Sequence, residues 1–357
     1  MTQWFIAAER PAHLTCIMPL EGCSDAYRET LCRGGVPSHG FFGFISPFLY
    51  GSQQREDVIA MLQKYPVMNE YWQDKRADIS SIRCPAYVLA SISTGLHTVG
   101  SLRGFEDIPH DKKCFRLRLH STQEWHDLYQ KHSVADFKKF LDFYLKGENN
   151  GWEQTARARI SANIDNLLFA AWPVPEINNI TLRLSVDGTL QSSFDLVKSG
   201  QSSYISDAKA ENDDADPEEL SFTYTFTQRT RLIGNSKAVL YMSCPDHSDL
   251  DVFLILRKVD KDGRVLRHIN IPFAELKAVG GDGIEGVEDP LNLPRLNAVQ
   301  YVGPSGILRA SHREIDASIS KHNFPHHKHT NEEKIQPGQH SPQQSIKWVL
   351  EGSDWID

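Results

Sequence analysis

The chain is short of positive charge. Thirty-eight Lys and Arg stand against 46 Asp and Glu, for a net charge of −8, and no basic block occurs. A nucleic-acid surface needs such a block, so no nucleic acid is expected as a partner. No apolar stretch approaches the roughly 20 residues of a membrane-spanning helix, so no membrane partner is expected either. The first residues, MTQWFIAAERP, lack a basic segment followed by a long apolar one, and no secretory leader is legible. The six cysteines (16, 23, 32, 84, 114, 244) form no CxxC pair. Their scatter through apolar runs argues against zinc and disulfides, and for reduced thiols in a cytoplasmic protein. A P-loop and a GxGxxG are both missing, so no nucleotide and no other cofactor is implied. Also missing is a GxSxG turn, the usual frame for a nucleophilic serine.

What is present divides the chain in two. With 357 residues, 40% of them hydrophobic, there is material for two domains. Residues 1–152 alternate helical and strand patterns. Thr2–Arg10 has a helical apolar face that Pro11 ends. His13–Leu20 reads as a short buried strand, and Glu21–Gly40 as a loop. Phe41–Leu49 reads as a cap or pocket wall, or as a loop packed on the core. Helices are expected at Glu56–Tyr65, Tyr71–Arg76, Val99–Ile108 and, most clearly, Val134–Leu145, closed by Lys146-Gly147. Ala86–Ala90 and Phe115–Leu119 are short apolar runs of the kind buried in parallel sheets. That is an α/β pattern.

Residues 153–357 read as all-β. Alternating runs recur at Thr181–Val186, Leu220–Phe226, Ala238–Ser243 and Asp251–Val259. Turn signals stand at Asp187-Gly188 and Asp262-Gly263, the second well placed for a hairpin. A β-sandwich is the expected fold. Asp207–Glu219 is acidic and reads as a solvated loop without EF-hand spacing. Gly280–Gly283 is a flexible turn. The closing WVLEGSDWID has no evident partner.

Chemistry is expected where strands end, because open α/β sheets bind ligands beyond the carboxyl ends of their strands. Two such ends carry histidine: Ser91–His97 after the first run, and His120-Ser121-Thr122 after the second. His120 suits a general base, His97 is its rival, and a plain structural role fits either. Glu106, Asp107 and Glu124 are the nearest carboxylates that follow; Ser24, Ser38, Ser91 and Ser93 are serines without the glycine frame. His322, His326, His327 and His329 match neither a helical HExxH nor a zinc finger, and Pro325 among polar neighbours suggests a surface loop.

Several strings together resemble one family. AERPAHLTCIMPLEGCSDAYRE, PAYVLASISTGLHTVGSLRGFEDI and RLHSTQEWHDLY are similar to the catalytic domain of the CocE/NonD branch of the X-Pro dipeptidyl-peptidase (peptidase S15) serine hydrolases. DFKKFLDFYLKGENNGWEQTARARIS resembles the passage out of that domain. FTYTFTQRTRLIGNSKAVLYMSCPDHSDLDVFLILRKVDKDG and RASHREID resemble its C-terminal jelly roll, a galactose-binding-like sandwich. The resemblance implies a partial α/β-hydrolase domain with a cap remnant over 1–152 and a jelly-roll sandwich over 153–357. It implies a small acyl or X-Pro peptide substrate. It places the family's nucleophilic serine just before the helix at Thr2–Arg10, so a chain lacking that serine and truncated at both ends is expected. The family's acid falls near Thr94, where no carboxylate stands, and its catalytic histidine near His120, without the usual GPWxH context. A sheet of about three strands would leave an open edge, so partner binding or a homo-oligomer is expected. Two functions follow: a serine hydrolase by descent, or a non-catalytic binding or scaffold protein built on the sandwich.

Overall fold

The computed structural model describes residues 1–49, 54, 56–109, 114–162, 165–175, 177–206, 219–279, 284–289, 293, 300–321, 324–338, 345–350 and 354–355. The chain opens with α1 (Thr2–Ala8), followed by a buried π-helical turn (Tyr27–Leu31) and a 3-10 turn (Arg33–Gly35). Then come α2 (His39–Leu49), α3 (Val58–Lys64) and α4 (Glu70–Gln73). Asp57 and Asn69 cap α3 and α4 by accepting the Ala60 and Trp72 N–H groups, which satisfies amides that a helix start otherwise leaves open.

Next is β1 (Tyr87–Ser91), with all five residues buried, then α5 (Thr98–Asp107) and β2 (Arg116–His120), again wholly buried. After α6 (Glu124–Leu128) and α7 (Lys131–Lys146) come β3 (Ala158–Ala162) and β4 (Asp165–Phe169). The sheet order is β1-β2-β3-β4. The first two pairings are parallel and the last is antiparallel. On the β1 side, parallel bridges Ile17↔Ala86 and Leu20↔Leu89 extend the sheet. Val88, Ala90, Leu117, Leu119 and Ile160 lie in the core with Trp4, Val99, Leu102 and Phe105 of the flanking helices. On the other side Tyr87 packs with Phe140 of α7 and with Trp152. Helices cover both faces, which explains why β1 reads as an almost unbroken apolar run, while in β2 the buried Arg116 and Arg118 alternate with Leu117 and Leu119. Gly104 lets α5 approach α1: a Cβ there would lie 2.8 Å from the Trp4 ring.

The later part is built from antiparallel pairs. They are β5 (Arg183–Leu184) with β6 (Leu190–Gln191), β7 (Leu232–Ile233) with β16 (Asp354–Trp355), and β8 (Ser236–Tyr241) with β15 (Ser345–Leu350). β9 (Asp251–Ile255) pairs with β14 (Ser305–Arg309), β10 (Lys258–Val259) with β11 (Val265–Leu266), and β12 (His268–Ile269) with β13 (Gln300–Tyr301). One further helix, α8 (Phe273–Val279), follows β12. The hairpin expected at Asp262-Gly263 forms between β10 and β11, with Gly263 at φ 80°. Among the described residues no helix is long and apolar enough to cross a membrane.

Several expectations change. Within Glu21–Gly40, read as loop, Tyr27–Leu31 and Arg33–Gly35 form helical turns, because Tyr27, Leu31 and Cys32 pack against Leu62, Met68 and Trp72. Residues 158–169, read as the start of the β-rich half, complete the α/β sheet. Leu220–Phe226 forms no regular strand; Thr223 makes one bridge to Thr189. The closing segment does find partners, in β8 and β7. Residues 207–218 of the acidic stretch and the turn at 280–283 lie outside the described residues.

Candidate active site at the strand ends

β1 and β2 run parallel, so their carboxyl ends, Ser91 and His120, lie side by side in register. Short bonds lace the loops that follow. The Ile92 N–H donates to the His120 carbonyl at 2.8 Å. The Ser91 hydroxyl donates to the Thr122 carbonyl at 2.7 Å, and Ser93 to Ser121 at 2.8 Å. These hydroxyls are engaged by backbone, and Ser24 Oγ donates to Glu29 Oε1 at 3.0 Å. None of these three bonds runs to an imidazole. The Cys23 thiol, on the loop after the Ile17–Leu20 segment, is pushed up by burial and by Glu29, so it stays protonated.

The two candidate histidines have different surroundings. His120 is 2% exposed. Its Nε2 meets Glu21 Oε1 at 2.8 Å and its Nδ1 meets Thr122 Oγ1 at 3.2 Å. Asp127 Oδ1 is 3.8 Å from Nδ1. Asp127 in turn is held by Arg118 at 2.6 Å and by Ser133 at 3.1 Å. Both ring nitrogens of His120 therefore have partners, in a closed network.

His97 is open. It sits at the N-cap position of α5 with no side-chain capping bond, and its Nε2 lies 3.9 Å from Glu124 Oε1 at the start of α6, with side chains 26% and 12% exposed. That separation is an ion-pair distance and is longer than a hydrogen bond. Catalytic contacts in unliganded sites are commonly this loose. The other carboxylate oxygen of Glu124 is buried without a hydrogen-bond partner. The structure thus brings together His97 and Glu124, which the sequence presents as separate candidates. Glu21, the partner of His120, was missed. Its position at the end of a strand-like run was the available signal.

The histidine-rich segment is elsewhere and is no surface loop. His326, His327 and His329 are buried; His322 lies outside the described residues. Arg28 draws the segment in, donating to the His327 carbonyl at 3.2 Å and to Lys328 at 2.9 Å, while the Met68 N–H donates to His329 at 2.7 Å. His312 and His329 meet Nδ1 to Nδ1 at 2.8 Å. Gly35 makes room for His312, whose ring is 2.4 Å from where a Cβ would lie. Among the described residues no group of three or more His, Cys, Asp or Glu could hold a metal.

A helix-covered, mostly parallel sheet with a histidine and a carboxylate 3.9 Å apart beyond its strand ends, followed by a β-rich half, defines an α/β class of protein. The X-Pro dipeptidyl-peptidase C-terminal non-catalytic domain matches residues 150–342, more than half of the chain. The chain belongs to the family of the X-Pro dipeptidyl-peptidase C-terminal non-catalytic domain and resembles the CocE/NonD hydrolases. Two crystal structures of a CocE/NonD family hydrolase from Staphylococcus aureus superpose with TM-scores of 0.81 and 0.80 at 28% sequence identity. Each match covers 99% of this chain and 59% of that hydrolase. No curated protein matches.

Proposed function

We propose that the strand ends form the acid–base side of a hydrolytic site for acyl esters, amides or X-Pro peptides. His97 takes a proton from an attacking water as its oxygen bonds to the acyl carbon, and returns that proton to the leaving group as the acyl bond breaks. Glu124 orients the ring and stabilises the imidazolium that forms. His120 keeps its place in the site as an enclosed imidazole between Glu21 and Asp127, holding the end of β2 beside β1. The observation that carries this reading is the approach of His97 to Glu124 at the mouth of two parallel strands. Similarity to a CocE/NonD hydrolase supports it. Ser24, Ser91 and Ser93 are already engaged and are not the attacking group. Hydrolysis of a p-nitrophenyl acyl ester by wild type and His97→Ala tests the proposal; a fluorophosphonate, which needs an activated serine, is expected not to label. Hydrolysis that collapses in the variant supports it.

A second reading has its own support, since the domain matched at 150–342 is described as non-catalytic. The chain would then be a binding or scaffold protein. Neither labelling nor turnover would be seen. In both readings the later half is a jelly-roll sandwich, supported by its antiparallel pairs, and the domains divide near residue 152, supported by a family match that starts at 150. Six free cysteines support a cytoplasmic location. Exposed Tyr241, Phe253 and Ile255 support self-association, which light scattering would test.

A further inference from the structure

The β-rich half reaches the proposed site through Asn270. This residue follows β12 and is 2% exposed. Its backbone carbonyl accepts the Gln123 N–H at 2.8 Å. Its side-chain nitrogen donates to the Ser93 carbonyl at 3.2 Å. A carbonyl can only accept, so Ser93 fixes which way the amide lies. The amide oxygen then faces away from Ser93, and it is buried without a hydrogen-bond partner. Two residues earlier, His268 Nε2 meets the Ser121 carbonyl. Burial lowers the pKa of that ring, so it is neutral and donates from Nε2.

Ser93 and Gln123 belong to different loops. Four residues after Ser93 comes His97; directly after Gln123 comes Glu124. One buried residue therefore ties together the two loops whose ends must meet. We propose that Asn270 is a positioning residue for the His97–Glu124 pair, supplied by the half of the chain that matches a non-catalytic domain. This rests on the reading of that pair as an acid–base site. Asn270 acts through the loops and does not touch the reacting atoms. A displacement of about 1 Å can cost a hundredfold in rate, and a pair already at 3.9 Å has little room to drift.

The test uses Asn270→Ala and the isosteric Asn270→Asp, which keeps the shape but loses the donor to Ser93; thermal melts establish that each is folded. Hydrogen exchange is read across residues 91–97 and 121–124. In both variants we expect exchange roughly tenfold faster across residues 91–97, the scale of one lost hydrogen bond, with a smaller change at 121–124, where the Asn270 backbone carbonyl still holds Gln123, and with the interior of β1 and β2 unchanged. The NMR chemical shifts of the His97 ring at fixed pH are the second readout. Asn270→Ala is expected to move them in the same direction as Glu124→Gln, and adding Glu124→Gln to Asn270→Ala is expected to move them no further. Unchanged loop exchange in Asn270→Ala overturns the proposal. So does wild-type behaviour of Asn270→Asp, since shape alone would then suffice. Undiminished hydrolysis by His97→Ala would instead sink the acid–base reading, and the exchange result would still decide the role of Asn270.

Discussion

The two halves bury their strands differently. β1 and β2 are covered on both faces, and every residue in them is buried. In β8 exposure alternates residue by residue, and in β9 Phe253 and Ile255 face outward. Charge follows the same division. The Arg118–Asp127 pair is enclosed, with side chains 4% and 5% exposed. Arg257–Glu219, in the later half, is 20% and 31% exposed. Sites that need a fixed geometry are built best on the more rigid element. The α/β half supplies that frame, and the later half contributes a contact to its loops.

Mutation can break this contrast. Asp127→Ala leaves Arg118 charged and buried, and should cost about 3–5 kcal/mol in denaturant unfolding. Glu219→Ala should cost about 0–1 kcal/mol, because water screens that pair. Equal losses would end the distinction. Leu117→Ala, in the wholly buried β2, should cost about 2–5 kcal/mol. Phe253→Ala, at a side chain 63% exposed, should fall within about 0.5 kcal/mol at protein concentrations low enough to keep copies apart. A large loss at Phe253 would mean that its face is covered in solution, as self-association requires.

Acid should act on the join between the halves. Burial is the first cause of the lowered pKa values of His312, His326, His329 and His268. For His326 and His329 the nearby Arg28 and Arg103 add to it. A histidine depressed in the folded state contributes stability above its unfolded pKa of about 6.5 and loses it as pH falls below. Glu29 opposes this. Burial and Asp25 raise it to about 7, so its contribution grows as pH falls from about 7 toward its unfolded value. Glu106 is also raised by burial. Four histidines against two carboxyls predict a melting temperature that drops between pH 7 and pH 5. A melting temperature that holds or rises would contradict the burial of the histidine segment.

Tyr87–Ser91 was legible because burial on both faces leaves an almost unbroken apolar signature there, whereas in Arg116–His120 buried arginines alternate with Leu117 and Leu119. Helix α7 was legible from its periodic face. The turn at Tyr27–Leu31 was not, since Gly34, Gly35 and Pro37 carry loop chemistry and only tertiary packing on Trp72 makes the segment helical. The histidine segment failed for a related reason. Its polarity suggests solvent, and the Arg28 that draws it inward lies about 300 residues away in the chain. For the site, strand ends could be found from local sequence, and both His97 and His120 were. Pairing could not be found that way. Glu21 with His120, Glu124 with His97, and Asn270 with Ser93 each depend on separate loops being brought together by the sheet and by the second half.

The most direct measurement is the turnover of a p-nitrophenyl acyl ester by wild type and by His97→Ala, at matched folded concentration. An acid–base role for His97 predicts a loss of about 10²- to 10⁴-fold in kcat/KM, with the melting temperature kept. Turnover that survives the substitution, or a folded wild type with no turnover, would contradict it.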